Sequence, residues 1–237
     1  MAKRAFDIFL SGFGLIWSSP LWALIALAIK LDDGGPIFYR QIRVGKGNRE
    51  FVSFKFRSMR ADSDKKWGAI PASEKDPRIT RVGCLLRATA MDELPQLWNI
   101  LRGDMSFVGP RPEWVELVKQ FRKEVSGFDM RHAVRPGLTG FAQVYGDSEL
   151  PRRQKLRYDR LYIKRQSLWI DLRLIALSFL VTFMGGWEVR ASKVPPWLGK
   201  RIRAQAQRPM GQSASAGALS LGRQKSIERG QNQWPPS

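Results

Sequence analysis

The sequence is poor in several residues on which enzyme chemistry commonly rests. Its single cysteine, Cys84, excludes an internal disulfide framework and any all-cysteine zinc site. Its single histidine, His132, excludes His-pair metal motifs and leaves little room for a Ser-His-Asp hydrolase. Acidic residues are scarce: 21 Asp and Glu against 40 Lys and Arg give a net charge of +19. Partners should therefore be anionic, with nucleic acid, an acidic membrane surface and phosphorylated small molecules all qualifying. A Walker-type loop is missing, because Gly45-Lys46-Gly47 reads as a hairpin turn rather than a phosphate cradle. Internal repeats are missing too. At 237 residues the chain suits one domain of ordinary size and is too short for two comfortable ones. Any chemistry must come from carboxylates, lysines and arginines.

What the sequence does have is a long apolar run. From Ile8 to Ile29 there are 22 residues without a charge. As a straight helix they would reach ~33 Å, close to the roughly 30 Å of a bilayer core. Ser18-Ser19-Pro20 interrupts the middle, where proline removes a backbone donor. Basic residues flank both sides, Lys3 and Arg4 before it and Lys30, Arg40 and Arg43 after it, so both ends prefer the cytoplasm. A re-entrant helix bent at Ser19-Pro20 satisfies both constraints, with the Ser18 and Ser19 hydroxyls meeting polar groups freed at the bend. A spanning helix and a cleaved signal segment ending near Ala26-Leu27-Ala28 are the other two readings these residues allow.

Beyond a turn at Asp32-Asp33-Gly34-Gly35-Pro36, residues 37–43 and 51–57 read as two strands joined by a turn. Phe54 and Phe56 should share one face of the second strand, Lys55 and Arg57 the other. A polar loop over 60–80 precedes a helix expected from Asp92 to Leu101, with Leu94, Leu97, Trp98 and Leu101 as its apolar stripe. Gly103 should end it. Two stiff corners follow, Val108-Gly109-Pro110-Arg111-Pro112 and Arg135-Pro136-Gly137-Leu138-Thr139-Gly140, with a helix over 114–125 between them. The apolar residues 174–184, preceded by a basic stretch, are too few to span and predict a helix lying in the headgroup plane. From Trp187 onward nine basic residues stand against two acidic ones in a Gly-, Ser- and Gln-rich tail, a composition that predicts disorder. The fold class is thus α/β in the α+β sense: a mainly helical, membrane-associated domain with a short β-hairpin and interfacial amphipathic helices. The expected division is residues 1–30 as the apolar helix, 31–186 as the main domain and 187–237 as the basic tail.

Arginines and lysines on stiff backbone suit phosphate oxygens, since the guanidinium fork matches them and proline fixes the approach angle. Lys55, Arg57, Arg87, Arg111 and Arg135 are such residues. Among them sits Asp92-Glu93. A carboxylate can attack phosphorus, neighbouring cations keep it ionised, and a divalent ion can neutralise a diphosphate. The same pair also reads as an N-cap and first-turn acid of the following helix.

Several strings in this chain occur together in one family. Lys55-Phe56-Arg57-Ser58-Met59, Asp76-Pro77-Arg78-Ile79-Thr80-Arg81-Val82-Gly83 and Asp92-Glu93-Leu94-Pro95-Gln96-Leu97-Trp98-Asn99 come first. Gly103-Asp104-Met105-Ser106-Phe107-Val108-Gly109-Pro110-Arg111-Pro112 and Arg135-Pro136-Gly137-Leu138-Thr139-Gly140 follow. In this order, over residues 3 to 186, the chain resembles the bacterial sugar transferase family, the monotopic polyprenyl-phosphate phosphoglycosyl transferases, in its small form. The resemblance implies transfer of a sugar 1-phosphate from a UDP-sugar to undecaprenyl or another polyprenyl phosphate, releasing UMP. It implies Asp92 as nucleophile, with Glu93 beside it and Mg2+ (or Mn2+) at the pair. Lys55, Arg87, Arg111 and Arg135 would bind phosphate, and Ser19-Pro20 would be the bend of a re-entrant helix. The implied location is the cytoplasmic face of a bacterial inner membrane, and the implied pathway is the start of exopolysaccharide, capsule, O-antigen or glycoprotein glycan assembly.

The chain departs from the family's pattern at Thr89-Ala90-Met91, where a serine and a leucine or isoleucine are usual, and at Arg165, where asparagine is common. Asp159 and Asp171 are later acidic candidates, with salt bridging on helix surfaces as the alternative. A homodimer is compatible with the resemblance, though no apolar stripe demands one. Two other function classes fit part of the sequence: a basic nucleic-acid binder, which leaves the apolar run unexplained, and a non-catalytic membrane scaffold. Sugar specificity is expected in residues 61–75 and 141–151.

Overall fold

The computed structural model describes residues 1–61, 63, 76–146 and 150–184. The tail over 187–237 and most of the 61–75 loop lie outside the described residues. Helix α1 (Ala2–Asp33) carries the apolar run within 32 helical residues and stops at Gly34, whose left-handed conformation (φ 70°) lets its N–H bond the carbonyl of Lys30. Pro20 lies inside this helix and cannot donate to Ile16. The hydroxyl of Ser19 takes that carbonyl instead, at 2.8 Å, while Ser18 Oγ accepts from the Trp22 indole at 3.0 Å. Ser19 thus meets the carbonyl freed by the proline, whereas Ser18 is taken by the Trp22 side chain, and the segment stays helical through the proline.

Strand β1 (Phe38–Val44) pairs antiparallel with β2 (Glu50–Phe56), Arg40 opposite Phe54 and Ile42 opposite Val52. A short 3-10 turn, Lys46–Asn48, joins them, confirming the hairpin reading of the glycine-lysine-glycine string. Strand alternation delivers Lys55 and Arg57 to one face, and Phe56 packs on the other with Ile25, Ile29 and Leu86. Helix α2 (Arg81–Ala88) starts at a Thr80 cap whose Oγ1 accepts from the Gly83 N–H at 3.0 Å. Gly83 is required by contact: a Cβ there would lie 2.0 Å from the Ser58 carbonyl oxygen.

The helix expected from Asp92 starts later. Met91–Glu93 form a separate 3-10 turn, and α3 (Gln96–Arg102) begins after Pro95, which has no N–H to continue the earlier turn. Asp92 is therefore no N-cap of that helix. The face turned inward carries Leu97, Asn99 and Ile100 rather than the expected stripe, and Trp98 is exposed. Gly103 ends α3 in the left-handed region as anticipated. Asn99, fully buried on α3, binds the outer edge of β2: its Nδ2 donates to Val52 O at 2.7 Å and its Oδ1 accepts from Phe54 N at 3.1 Å.

The two stiff corners meet. Strand β3 (Ser106–Val108) leads into the first and runs parallel to β4 (Gly137–Thr139) of the second, a pairing the sequence did not signal because each strand has only three residues. Their glycines allow the crossing, since a Cβ at Gly137 would sit 2.0 Å from Gly109 N. Helix α4 (Val115–Glu124) fills the interval between the corners, burying Val118 and Phe121 against Val44, Phe128 and Leu156. Helices α5 (Phe141–Tyr145), α6 (Arg152–Arg165) and α7 (Leu168–Met184) complete the described chain. Their residues Val144, Tyr162 and Leu174 join Ile100, Met105 and Val108 in the main core. Helix α7 has 17 residues rather than the eleven counted from the apolar run, because it begins at Leu168, beside Ser167. Trp169, Leu172, Phe179 and Leu180 on it are exposed, as are Phe9, Phe13, Ile16 and Trp17 on α1. The described residues are thus mostly helical, with short sheets and one long apolar N-terminal helix.

Asp159 and Asp171 are not helix-surface ion pairs. Asp159 is buried against Arg131 at 3.1 Å, and Asp171 is buried against Lys3 and the Tyr162 hydroxyl. Lys3 also reaches the Val108 carbonyl, so this network ties the start of α1 to β3. The tightest test of the fold is Asn99→Ala. It leaves the part-buried N–H of Phe54 and carbonyl of Val52 without side-chain partners, at about 1–2 kcal/mol each. We expect urea unfolding in detergent to show a loss of roughly 2–4 kcal/mol.

Candidate active site

The acidic pair is held by the elements that converge on the 3-10 turn Met91–Glu93. Ala90, just before it, adopts a left-handed conformation (φ 56°) that turns the chain sharply out of α2. Asp92 and Glu93 then meet Lys55 from β2, Arg87 from the last turn of α2 and Arg111 from the Pro110–Pro112 corner. That corner is fixed from two directions: Arg43 Nη1 donates to the Pro112 carbonyl and Arg131 Nη2 to the Arg111 carbonyl, the latter at 2.8 Å.

The two carboxylates differ in their partners. Glu93 Oε1 accepts from Lys55 Nζ at 2.6 Å and from Arg111 Nη2 at 3.3 Å. Asp92 is 8% exposed and makes no hydrogen bond among the described residues; Lys55 Nζ lies 3.8 Å from its Oδ2. Burial acts to raise both carboxyls. For Glu93 the attraction of Lys55 and Arg111 outweighs it and holds the group at about 2. For Asp92 burial prevails over Lys55, reinforced by the negative charge of Glu93, and its pKa rises above the usual carboxylate range. Adjacent acids pushed apart in this way have different chemical roles open to them.

Two cavities border the pair. The larger, about 490 Å³, runs from Asp92, Lys55 and Arg111 past Tyr39, Arg40 and Trp114. The smaller, about 300 Å³, lies between the pair and a wall formed by β4, α5 and α7. Lys55, Arg87, Asp92 and Arg111 line both. The structure therefore brings together Lys55, Arg87, Arg111, Asp92 and Glu93. It does not bring Arg135 to them: that side chain donates to the Gly103 carbonyl at 2.9 Å, at the end of α3, and lines neither cavity. Ser19 and Pro20 lie in α1 and line neither cavity. Arg57 lines the larger cavity, although its guanidinium is committed to Asp33 and the Pro36 carbonyl. Sequence reasoning missed Tyr39, Arg43, Trp114, Thr139 and Gln143 as cavity residues. Thr139 stood in one of the family strings, Gln143 in the 141–151 segment expected to carry specificity, and Arg43 among the basic residues flanking the apolar run.

No cluster of three or more metal-ligating side chains occurs among the described residues. The hard oxygens of Asp92 and Glu93 still fit the usual mode of Mg2+, which takes one or two carboxylates and completes its shell from substrate phosphates and water.

These features define a class: an α+β domain on a long apolar helix, with one acidic pair set in a cationic cleft between two cavities. Comparison with known proteins goes further. The bacterial sugar transferase family profile matches residues 1–185, and the chain belongs to that family. It is 44% identical over 191 residues to the UDP-N-acetylgalactosamine-undecaprenyl-phosphate N-acetylgalactosaminephosphotransferase of Aeromonas hydrophila, covering 79% of this chain and 45% of that protein. It is 43% identical over 183 residues to the UDP-glucose:undecaprenyl-phosphate glucose-1-phosphate transferase of Xanthomonas campestris pv. campestris, covering 75% and 38%. A third relative, the exopolysaccharide production protein PSS of Rhizobium leguminosarum bv. phaseoli, is 41% identical over 181 residues, covering 73% of this chain and 90% of its own. The chain spans less than half the length of the first two.

Ala90 offers a direct test of how the turn is held. A non-glycine residue in the left-handed region costs roughly 1 kcal/mol, which glycine avoids. Ala90→Gly should leave thermal stability unchanged or raise it by up to about 1 kcal/mol, whereas β-branched Ala90→Val should lower it. Differential scanning measurements on the detergent-solubilised chain distinguish these outcomes.

Proposed function

We propose that this chain transfers a sugar 1-phosphate from a UDP-sugar to undecaprenyl phosphate or a similar polyprenyl phosphate, through a covalent phosphosugar intermediate on Asp92. The observation that carries the reading is the division of labour in the acidic pair. Glu93 Oε1 is engaged by both Lys55 and Arg111, while Asp92 lies beside the same cations with no hydrogen bond of its own. A carboxylate with unshared oxygens facing a cationic cleft is equipped to attack an electrophile bearing negative charge. The names of the Aeromonas and Xanthomonas relatives supply the substrate class: a UDP-sugar and undecaprenyl phosphate.

In the first step an Asp92 carboxylate oxygen attacks the phosphorus that bears the sugar. The bond from that phosphorus to the bridging oxygen breaks, and UMP departs with the electron pair. In the second step a phosphate oxygen of the polyprenyl phosphate attacks the same phosphorus, the acyl-phosphate bond breaks and Asp92 returns as a carboxylate. Lys55, Arg87 and Arg111 offset the charge that develops on the transferred group. Glu93 fixes Lys55 and Arg111 in place, which makes it a positioning residue as well as a ligand candidate. Bound through Asp92 and Glu93, Mg2+ would supply further neutralisation of the diphosphate.

Membrane attachment belongs to the same reading. The start of α1 is tied to the domain by Lys3 to Asp171 and by Arg4 to the carbonyls of Ile100 and Leu101. Its end is tied to the same domain by Asp33 to Arg57 and by Asp32 to the Val82 N–H. Both ends of an apolar helix held on one domain support an anchor that enters and leaves the bilayer from one side, bent at Ser19-Pro20. The flanking Lys and Arg favour the cytoplasmic side. Exposed apolar residues on α7 would add interfacial contact.

Incubating the chain with a UDP-sugar and no lipid acceptor should leave Asp92 heavier by one phosphosugar, read by mass spectrometry. Asp92→Asn should show no adduct and no UMP release while remaining in the membrane pellet through a high-salt wash. Substantial turnover without Asp92 would mean direct transfer between the substrates. The pH profile provides a second test. Attack requires ionised Asp92, so kcat/KM should rise with pH through the elevated Asp92 pKa. Lys55→Met removes the cation that most opposes that elevation and should move the acid limb to higher pH as well as slow the reaction. An acid limb that stays in place would assign it to another group.

A further inference from the structure

The smaller cavity differs in chemistry from the larger one. Its wall opposite the acidic pair is built largely of neutral polar groups: Thr139 on β4, Gln143 on α5, and Ser178 and Thr182 on α7. Ser178 and Thr182 are four residues apart and share one helix face. Thr139 is 6% exposed, and its hydroxyl oxygen is buried without a hydrogen-bond partner. Both the oxygen and the nitrogen of the Gln143 amide are likewise buried and unpaired. Each such group costs about 1–3 kcal/mol when left unmade. The backbone accommodates this amide closely: a Cβ at Gly140 would lie 2.8 Å from Gln143 Oε1.

The geometry of phosphoryl transfer decides what these groups serve. Entering and leaving oxygens lie roughly in line at phosphorus. If Asp92 enters opposite UMP, the lipid phosphate must later enter opposite Asp92, along the line UMP has left. Nucleotide and lipid phosphate therefore use one track in succession, and the sugar, carried on a different phosphorus oxygen, needs a place beside it. The larger cavity suits the nucleotide, with Tyr39 and Trp114 to pack a base and Arg40 for phosphates. The smaller cavity suits the sugar. Its volume is at the lower end of small-molecule sites, roughly 300–1,000 Å³. An amide presents a donor and an acceptor together, which matches neighbouring hydroxyls on a sugar ring.

We infer that Thr139, Gln143, Ser178 and Thr182 form the sugar-recognition subsite, with Gln143 as its main specificity determinant. This rests on the transferase reading above and adds to it the place where the donor's sugar is distinguished. Sites that hydrogen-bond a substrate hydroxyl discriminate strongly, because a sugar lacking it leaves the protein groups unpaired.

The test uses the full chain in detergent micelles with undecaprenyl phosphate and four donors: UDP-glucose, UDP-galactose and their two 2-acetamido counterparts. UMP release gives kcat/KM for each donor, and inhibition by added UMP reports the nucleotide cavity. Gln143→Leu should lower kcat/KM for the preferred donor by about tenfold or more and compress the ratios between donors, with the UMP inhibition constant within about twofold. Ser178→Ala combined with Thr182→Val repeats the test from a separate helix and should also change the donor ratios. Equal loss for all four donors in both variants would overturn the subsite. So would a weakened UMP inhibition constant, which would put the nucleotide there. A change confined to the KM for undecaprenyl phosphate would put the lipid there instead. A wild-type chain that releases no UMP from any donor fails at the transferase reading itself, and the subsite falls with it.

Discussion

The ion pair between Lys55 and Glu93 is the contact on which the cleft is organised. Two adjacent buried carboxylates repel each other and lose solvation, so a fold can keep them together only by bringing cations to them. Here the cations are shared unequally. Lys55 sits 2.6 Å from Glu93 and 3.8 Å from Asp92, and Arg111 bonds Glu93 as well. One acid is thereby fixed and strongly ionised, and the other keeps its oxygens unengaged. Everything that aims Lys55 and Arg111 contributes to this asymmetry.

That aiming comes from backbone contacts more than from side-chain packing. Lys55 lies on a strand whose free edge is bonded by buried Asn99, so α3 sets the height of β2. Arg111 projects from a corner held by Arg43 and Arg131 and continuous with β3, which crosses β4 at glycine. The crossing also places Thr139 and Gln143 opposite the acids. β3 is bonded in turn to the start of α1, through Lys3 to the Val108 carbonyl and Asp7 to the Phe107 N–H. The apolar helix is thus built into the frame of the cleft rather than attached beside it.

Much of this was legible in the sequence because it depends on short-range chemistry. The length and charge flanks of the apolar run, the hairpin around Gly47, the Gly103 stop and the helix before Val125 all follow from local preferences of neighbouring residues. The acidic pair and the basic residues Lys55, Arg87 and Arg111 were visible as residue types on stiff backbone, and the family strings gave their order. The errors have local causes too. The apolar stripe put Trp98 inside, but the face that packs inward is the one on which Asn99 bonds β2 beside Ile100. Counting α7 from its apolar residues missed its first turns, where Trp169 and Asp171 lie among mixed residues.

By itself, then, the sequence determined which groups are available: the acidic pair Asp92-Glu93 among a surplus of cations, a long apolar run, and only one thiol and one imidazole. Only the tertiary structure decided which of them meet. Arg135 and Arg111 look alike in sequence, each beside proline, yet one caps α3 through the Gly103 carbonyl and the other binds Glu93. Asp171, in sequence either a site candidate or a surface ion pair, is instead buried against Lys3 and lines neither cavity. Gln143 lay in the 141–151 segment expected to carry specificity but had no signal of its own until β4 and α5 brought its unpaired amide to the cavity that Asp92 also lines. Such outcomes depend on contacts between residues far apart in the chain, and those are fixed by which backbones can approach closely, a property of the whole fold.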